Sequence, residues 1–135
     1  MRIQVVSDLH LEFSDITIPN AGSDVLILSG DIMVSDKLFK EGSEVGGRFR
    51  AFLQRCSDAF PHVIWVAGNH EFYGSGDFFG HVDRMREWCQ THYTNIYFLE
   101  LDTKVIDDVL FVGATLWTDM NKGDPLTIMY CQDHM

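Results

Sequence analysis

Three short clusters of polar side chains carry groups that can bind a metal ion. They are Ser7-Asp8-Leu9-His10, Gly30-Asp31 and Gly68-Asn69-His70-Glu71. Their carboxylates, imidazoles and amide oxygen suit harder or borderline divalent cations such as Mn, Fe, Zn or Mg. Asp8 and His10 are two residues apart on an extended segment, so both side chains can point to one side and chelate one ion. The clusters therefore predict a metal site.

The other residues of these clusters add to that prediction. Asp31 has two carboxylate oxygens and can bridge two ions, whereas Asn69 offers only a neutral amide oxygen. Gly30 and Gly68 allow tight turns and a close approach of the backbone where side chains would obstruct it. Each cluster taken alone also fits an ordinary surface turn, because Asp, Asn and Gly are common turn residues. Glu71, read in that way, caps the following turn or orients His70.

Each cluster follows a short apolar run. These runs are IQVV (Ile3 to Val6), DVLILS (Asp24 to Ser29) and HVIWVA (His62 to Ala67). Their continuous hydrophobicity predicts strands that are covered on both faces, as in α/β proteins. Ligands of open α/β sheets bind beyond the carboxyl ends of the strands. Three polar clusters in that position predict a single convergent site.

The remaining elements follow from helical and strand periodicity. Apolar residues at spacings of three and four predict a first helix around Phe49 to Phe60 and a second from Phe78 to Cys89, with Asp77 as its N-cap. The later segments NIYFLE, KVI and VLFVGATLW predict strands, the last two joined as a hairpin at Asp107-Asp108. This order predicts an α/β fold that becomes antiparallel toward its end. The segment Ser35 to Gly47 is expected to be a mobile loop.

Other aromatic and histidine residues are expected to serve the structure. Phe72 and Tyr73 are predicted to pack beside the site, and their position leaves a role as a substrate platform open. A core position is predicted for Phe39, Phe78 and Phe79. His62 is expected to be structural, and His81 and His92 are expected to be solvated or to cap the second helix.

Composition narrows the function classes. The chain has 135 residues, a length typical of one domain, and an apolar content of 46% predicts a packed globular protein. Its net charge of −10 and only 10 scattered Lys and Arg residues argue against a broad basic face that binds nucleic acid. An acidic chain can still bind phosphates where bound cations reverse the local charge.

The cysteines and the hydropathy of the chain indicate the cellular environment in which the protein is expected to fold. The three cysteines, Cys56, Cys89 and Cys131, are widely spaced and form no CxxC pair. They predict neither a disulfide framework nor a thiolate metal site, which favours a reducing, cytoplasmic environment. No apolar run approaches the length that crosses a bilayer, and no signal segment is visible, so no membrane partner is expected.

The pattern D-x-H, then G-D, then G-N-H-[DE], each after a strand, resembles the calcineurin-like metallophosphoesterase family. The resemblance implies a four-layer αββα sandwich with a two-metal centre between the strand ends. By position, Asp8 and His10 hold the first ion, Asp31 bridges both ions, and Asn69 holds the second. His70 faces the substrate, as proton donor to the leaving oxygen or as a cation on the phosphoryl group. The mechanism implied is in-line attack by metal-bound hydroxide on phosphorus.

The resemblance covers only the N-terminal half of a typical domain of that family. The later motifs, a lone histidine after a further strand and a G-H-x-H that together supply three more ligands, are absent. Residues 1–135 are therefore expected to be a single, C-terminally truncated domain: an incomplete sandwich, with a mixed sheet and helices on one face. His134 lies in no family motif and is a poor substitute ligand. The four remaining ligands are expected to hold one ion weakly.

These observations leave three classes of function open. The first is a metal-dependent phosphoesterase that hydrolyses phosphomonoester or phosphodiester bonds. The second is a catalytically incomplete remnant or half-protein that acts with a partner, either another copy or a complementary C-terminal chain, because half a sandwich leaves an apolar sheet face uncovered. The third, a nucleotide-binding module without metal, is disfavoured because no G-x-G-x-x-G or G-x-x-x-x-G-K-[ST] follows any strand.

Overall fold

The structure is a computed structural model and describes residues 1–130. Its main sheet has four parallel strands in the spatial order β1 (Ile3–Val6), β2 (Val25–Ser29), β3 (His62–Val66) and β4 (Ile96–Phe98). Most residues of β2 and β3 are buried, as their continuous apolar runs predict. The same prediction is wrong for β1, whose residues are exposed or partly buried because it is the edge strand of the sheet. Because the strands are parallel, the loops that follow β1, β2 and β3 all leave the same edge of the sheet.

Two helices cover one face of this sheet: α1 (Glu44–Ala59) and α2 (Phe78–His92). The Ser43 hydroxyl caps α1 by accepting from a backbone N–H one turn into the helix. The Asp77 carboxylate caps α2 by accepting from the Gly80 N–H, which confirms the predicted N-cap. The apolar stripes of both helices and the strand residues facing them form the larger core, whose bulkiest members are Trp65, Phe49, Phe52, Phe60 and Phe72.

An antiparallel hairpin lies against the opposite face. Strands β5 (Asp102–Ile106) and β6 (Val109–Gly113) form a separate two-stranded sheet and do not join the parallel one. Both residues of the turn, Asp107 and Asp108, have left-handed φ angles of 46° and 64°, which is the backbone of a type I′ hairpin turn. The hairpin was therefore predicted correctly, and the α/β pattern does become antiparallel toward its end.

A second, smaller core holds the hairpin on the sheet. It consists of Val25, Ile64, Leu99 and Ile106, with Ile27, Val66, Tyr97 and Phe111 packed around them. The approach is closest at Gly113, where a Cβ atom would lie 2.4 Å from the Leu99 Cβ, so any larger residue would push the hairpin away. The layers are thus helices, parallel sheet and hairpin.

The connecting segments include two short 3₁₀ turns, Ser35–Lys37 and His70–Phe72, which lie in contact next to the carboxyl ends of the strands. The predicted loop at residues 35–47 holds the first of these turns and the start of α1. After β6, a turn at Met120–Gly123 with left-handed φ angles at Asn121 and Lys122 leads into α3 (Pro125–Tyr130).

Two predictions about the start of α2 are wrong. Phe79 is 78% exposed rather than core, because it follows Phe78 by one position, and a step of about 100° turns it away from the sheet. His81 is only 5% exposed rather than solvated, because it lies three residues after Phe78 and four before Met85, on the buried face. Phe39 and Phe78 are partly buried against the larger core, in line with their predicted role.

Candidate functional site

The first two polar clusters are held together by backbone hydrogen bonds that continue beyond the paired strands. The Asp8 N–H donates to the Gly30 carbonyl (3.0 Å), and the His10 N–H donates to the Asp31 carbonyl (3.1 Å). The next residue, Leu11, donates to the Ile32 carbonyl (2.9 Å). The loop after β1 therefore lies alongside the loop after β2, which fixes the two clusters side by side.

All three residues predicted to ligate the first ion or bridge two ions have an unusual backbone. The φ angles of Asp8, His10 and Asp31 are 54°, 46° and 53°, in the left-handed region that non-glycine residues seldom occupy. A residue in such a region costs of order 1 kcal/mol and persists only where its surroundings enforce it. Strain at three neighbouring polar residues is typical of a functional site.

The second and third clusters meet through two glycines. A Cβ atom at Gly68 would lie 2.2 Å from Asp31 Oδ1, and a Cβ atom at Gly30 would lie 3.1 Å from the Gly68 backbone. Gly30 also has a left-handed φ of 82°. The two loops can approach this closely only because neither position carries a side chain.

Glu71 connects the loop after β2 to the loop after β3. Its carboxylate is fully buried and accepts four backbone hydrogen bonds, from the N–H groups of Asp31 (3.0 Å), Ile32 (2.7 Å), Met33 (3.2 Å) and Gly68 (2.7 Å). Burial raises the pKa of this carboxyl group, and the four N–H donors oppose that shift. Glu71 thus anchors the backbone on both sides of the site.

The ligand atoms of the first two clusters converge. One ligand atom each from Asp8, His10 and Asp31 lies within 4.8 Å of the others. Two carboxylates and an imidazole form a donor set that suits a divalent cation, so the residues fit the metal that the motif pattern implies. Asp31 Oδ1 also accepts a hydrogen bond from the His70 backbone N–H (3.0 Å), which brings the third cluster to the same point.

Asn69 and His70 sit at the start of the 3₁₀ turn that follows β3. The Asn69 amide nitrogen donates to the Tyr73 hydroxyl (3.0 Å). The Tyr73 ring lies 4.4 Å from the His70 ring, centroid to centroid, and limits the positions that the imidazole can adopt. Tyr73 therefore packs directly on a site residue, and Phe72 is buried beneath the turn.

One residue of the site was missed by sequence reasoning, namely Glu12. Its Oε1 lies 3.0 Å from His70 Nδ1 and 3.3 Å from His10 Nδ1, and these two nitrogens are 3.2 Å apart. A signal was present: Glu12 follows His10 by two residues, as His10 follows Asp8. Its contact with His70 spans 58 residues and depends on the tertiary fold.

The other histidines of the described chain stand apart from this centre. The His81 ring contacts the Ser35 hydroxyl and the Glu71 carbonyl inside the core, at 2.6 and 3.1 Å. His62 stacks on Tyr97, and the exposed His92 stacks on Trp88 in the last turn of α2. His134, considered as a substitute ligand, lies outside the described residues.

Comparisons with known proteins agree with the geometry. Residues 1–129 match the model of the family described as calcineurin-like phosphoesterase. The "Uncharacterized protein L509" of Acanthamoeba polyphaga mimivirus is 29% identical over 132 residues, which cover 91% of this chain and 47% of that relative. The chain thus spans about half the length of this curated relative.

No solved structure matches the chain significantly. Across residues 1–130, none of the helices has the length and apolar character required to span a membrane. The family match extends over nearly the whole chain and includes all three polar clusters. The chain belongs to the calcineurin-like phosphoesterase family.

Proposed function

We propose that this chain is a metal-dependent phosphoesterase that hydrolyses phosphomonoester or phosphodiester bonds. The observation that supports it most strongly is the convergence of Asp8, His10 and Asp31, with ligand atoms within 4.8 Å, at the strand ends of a phosphoesterase family member. Phosphate esters are the substrates that membership of this family implies.

The proposal assigns the cation ligands residue by residue. Asp8 and His10 would hold a first ion, Asp31 would be shared with a second, and the Asn69 amide oxygen would contribute to the second position. Mn, Fe, Zn and Mg are the candidate metals. When bound, a divalent cation supplies Lewis-acid polarisation of a phosphoryl oxygen and lowers the pKa of water. Its charge also allows a chain of net charge −10 to accept an anionic substrate.

His70 is the proposed acid and phosphate contact. Its backbone is fixed by the hydrogen bond to Asp31 Oδ1, and its ring is held between Tyr73 and Glu12. With the Nδ1 hydrogen donated to Glu12 Oε1, the Nε2 atom is the one that exchanges a proton with the leaving-group oxygen. The imidazolium form would also offset the negative charge of the phosphoryl group.

Gly30, Gly68 and Glu71 have supporting roles in this proposal. The glycines let the two loops touch, and the Glu71 carboxylate ties four backbone N–H groups around Asp31 and Gly68. The ligands are thereby held in place before any cation or substrate arrives. Such preorganisation reduces the cost of ordering the site on binding.

An activity assay tests the proposal. The protein is purified without chelator, Mn²⁺ is added, and hydrolysis of p-nitrophenyl phosphate and bis-p-nitrophenyl phosphate is followed. We expect Mn²⁺-dependent turnover that falls by about 100-fold or more in His70→Ala, the effect typical of losing a positioned acid. His92→Ala, which removes an exposed imidazole on α2, is the matched control and should retain full activity. Absence of turnover in excess Mn²⁺, or an active His70→Ala, would contradict the proposal.

We also propose that self-association covers apolar residues that the chain leaves exposed. Ile3 and Val5 on the edge strand β1 are 46% and 60% exposed, and the outer face of the hairpin exposes Val105, Leu110 and Val112. Exposed strand edges and contiguous apolar surface favour pairing with another chain. A second copy is the proposed occupant; a complementary chain is the alternative that the same surface suits.

The proposal includes a reducing, cytoplasmic compartment. Cys56 and Cys89 are free thiols in the core, and burial raises the pKa of each to about 12. Thiols of this kind are protonated at neutral pH and serve packing rather than chemistry.

A further inference from the structure

His10, Glu12 and His70 direct three donor atoms at one another from two loops that are far apart in the chain. Glu12 Oε1 is 3.3 Å from His10 Nδ1 and 3.0 Å from His70 Nδ1, and the two nitrogens are 3.2 Å apart. The geometry points to a second cation site, of the zinc class, formed by these three side chains. It does not depend on phosphoester hydrolysis.

Hydrogen bonding alone does not account for the three contacts. An ionised carboxylate only accepts, and each Nδ1 atom either donates or accepts. If both nitrogens carry hydrogen, the contact between His10 and His70 opposes two donors. If only one does, the lone pair of the other nitrogen faces the Glu12 oxygen. A cation between the three atoms satisfies all of the contacts at once, because each atom then offers it a lone pair.

The spacing of the donors also fits a metal shell. Zinc–nitrogen and zinc–oxygen bonds of about 2.0–2.2 Å place neighbouring donors roughly 3.3–3.6 Å apart in a tetrahedron. In an octahedron with bonds of about 2.1 Å the spacing is roughly 3.0 Å. The observed separations of 3.0, 3.2 and 3.3 Å span the octahedral value and the lower tetrahedral limit. Two imidazoles and one glutamate are also a ligand set that zinc adopts in proteins, with a fourth position open.

A further observation concerns the second oxygen of the same carboxylate. Glu12 Oε2 is buried and has no hydrogen-bond partner within the described part of the chain. A buried carboxylate oxygen without a partner costs free energy that a bound cation would offset. The Phe13 ring, 6.3 Å from that of His10, and the Tyr73 ring beside His70 provide aromatic neighbours for the two imidazoles.

This group differs in composition from the group of Asp8, His10 and Asp31. It offers two imidazoles and one carboxylate, whereas the other offers one imidazole and two carboxylates. The two groups share His10. Zinc, which favours imidazole ligands, is expected at the group that contains Glu12, and a cation there replaces the hydrogen on His70 Nδ1.

The test is zinc coordination and affinity, measured on the full chain without substrate. With one equivalent of Zn²⁺, X-ray absorption should show two imidazole ligands. Competition with a chromophoric chelator should show about tenfold or greater loss of affinity in Glu12→Gln and in His70→Ala. Asp108→Asn in the hairpin turn, which makes the same change of charge as Glu12→Gln away from both groups, should retain both the affinity and the two-imidazole shell.

The inference is overturned by a zinc shell with a single imidazole, or by equal zinc affinity in wild type and Glu12→Gln. Circular dichroism establishes that each variant is folded, and His70→Ala decides the matter if Glu12→Gln does not fold. Because no readout involves turnover, this site and the proposed phosphoesterase activity stand or fall separately.

Discussion

Glu71 organises the backbone around the converging clusters from a buried position. It is fully buried, and its carboxylate accepts from backbone N–H groups on the loops after β2 and β3. Through those bonds it determines where Asp31 and Gly68 lie. These bonds enforce the left-handed backbone of Asp31. The hydrogen bond that the His10 N–H donates to the Asp31 carbonyl enforces it as well.

Glu71→Gln should therefore destabilise the protein markedly. The substituted amide places N–H donors where the backbone also presents donors, so at least one buried N–H loses its acceptor. We expect a loss of about 3 kcal/mol in the free energy of unfolding, measured by urea denaturation. Glu87→Gln on the exposed surface of α2 is the control and should change stability by less than about 0.5 kcal/mol. Equal denaturation midpoints for the two variants would contradict this role.

At the residue scale, the convergence of Asp8, His10 and Asp31 could be predicted from the sequence, whereas the contacts of their neighbours could not. Asp8, His10 and Asp31 follow strands, and parallel strands deliver their carboxyl ends to one edge. The position of each residue directly after an apolar run can be read from the local sequence. The contact between Glu12 and His70, and the four bonds of Glu71, join loops that only the tertiary fold brings together.

At the element scale, α2 packs a histidine into the core beneath the site. The His81 ring and the Ser35 hydroxyl meet the Glu71 carbonyl, so the helix supports the 3₁₀ turn that carries His70. Burial lowers the pKa of His81 below its ordinary value of 6.5. The hydrogen bond with the Glu71 backbone and the carboxylates of Asp36 and Asp77 oppose this shift of the pKa, whereas the guanidinium of Arg84 adds to it.

The lowered pKa of His81 predicts a pH-dependent stability. The unfolded chain binds more protons than the folded chain between the lowered pKa and 6.5, so stability rises with pH in that window. The His81 imidazole should have no effect on the free energy of unfolding well above pH 6.5. Below that pH it should lower the stability of the folded protein progressively. His81→Gln should reduce the slope of unfolding free energy against pH in the range just below 6.5. His92→Gln, exposed on the same helix, should leave it unchanged; equal slopes in both variants would count against a buried neutral His81.

Elements were predictable where local signals agree with packing. The Asp77 cap and the turn at Asp107 and Asp108 are confirmed because cap and turn chemistry act within a few residues. Residue polarity was misleading at the start of α2. His81 is buried because its helical position places it there and Ser35 satisfies its ring, whereas Phe79 is exposed because its position points outward.

The whole molecule has three layers, and the candidate site lies at the carboxyl ends of the parallel strands. Part of its apolar surface is exposed. Helices cover one face of the parallel sheet, and the hairpin packs on the other face against a cluster that includes Val25, Ile64 and Leu99. Ile3 and Val5 at the far edge receive no such cover within residues 1–130. The sequence predicted this uncovered surface from the family resemblance, and its occupant is a proposal.

Self-association should be measurable at micromolar protein concentration. We expect light scattering to give a mass above that of one 15.5-kDa chain, because pairing removes the exposed side chains of β1 and the hairpin from water. Val5→Lys and Val112→Lys should each shift the protein toward monomer. Gln90→Lys, on the exposed face of α2, is the matched control. A strictly monomeric wild type would contradict the proposal.

The most direct test of the central claim is the affinity for Mn²⁺, measured by titration calorimetry on the wild type and on two variants with the same change of charge. Asp31→Asn alters the converging cluster, and Asp108→Asn alters a left-handed aspartate in the hairpin turn. The account predicts that wild type and Asp108→Asn bind Mn²⁺ alike, and that Asp31→Asn binds about tenfold or more weakly while remaining folded. Equal binding by all three proteins, or no binding by the wild type, would contradict it.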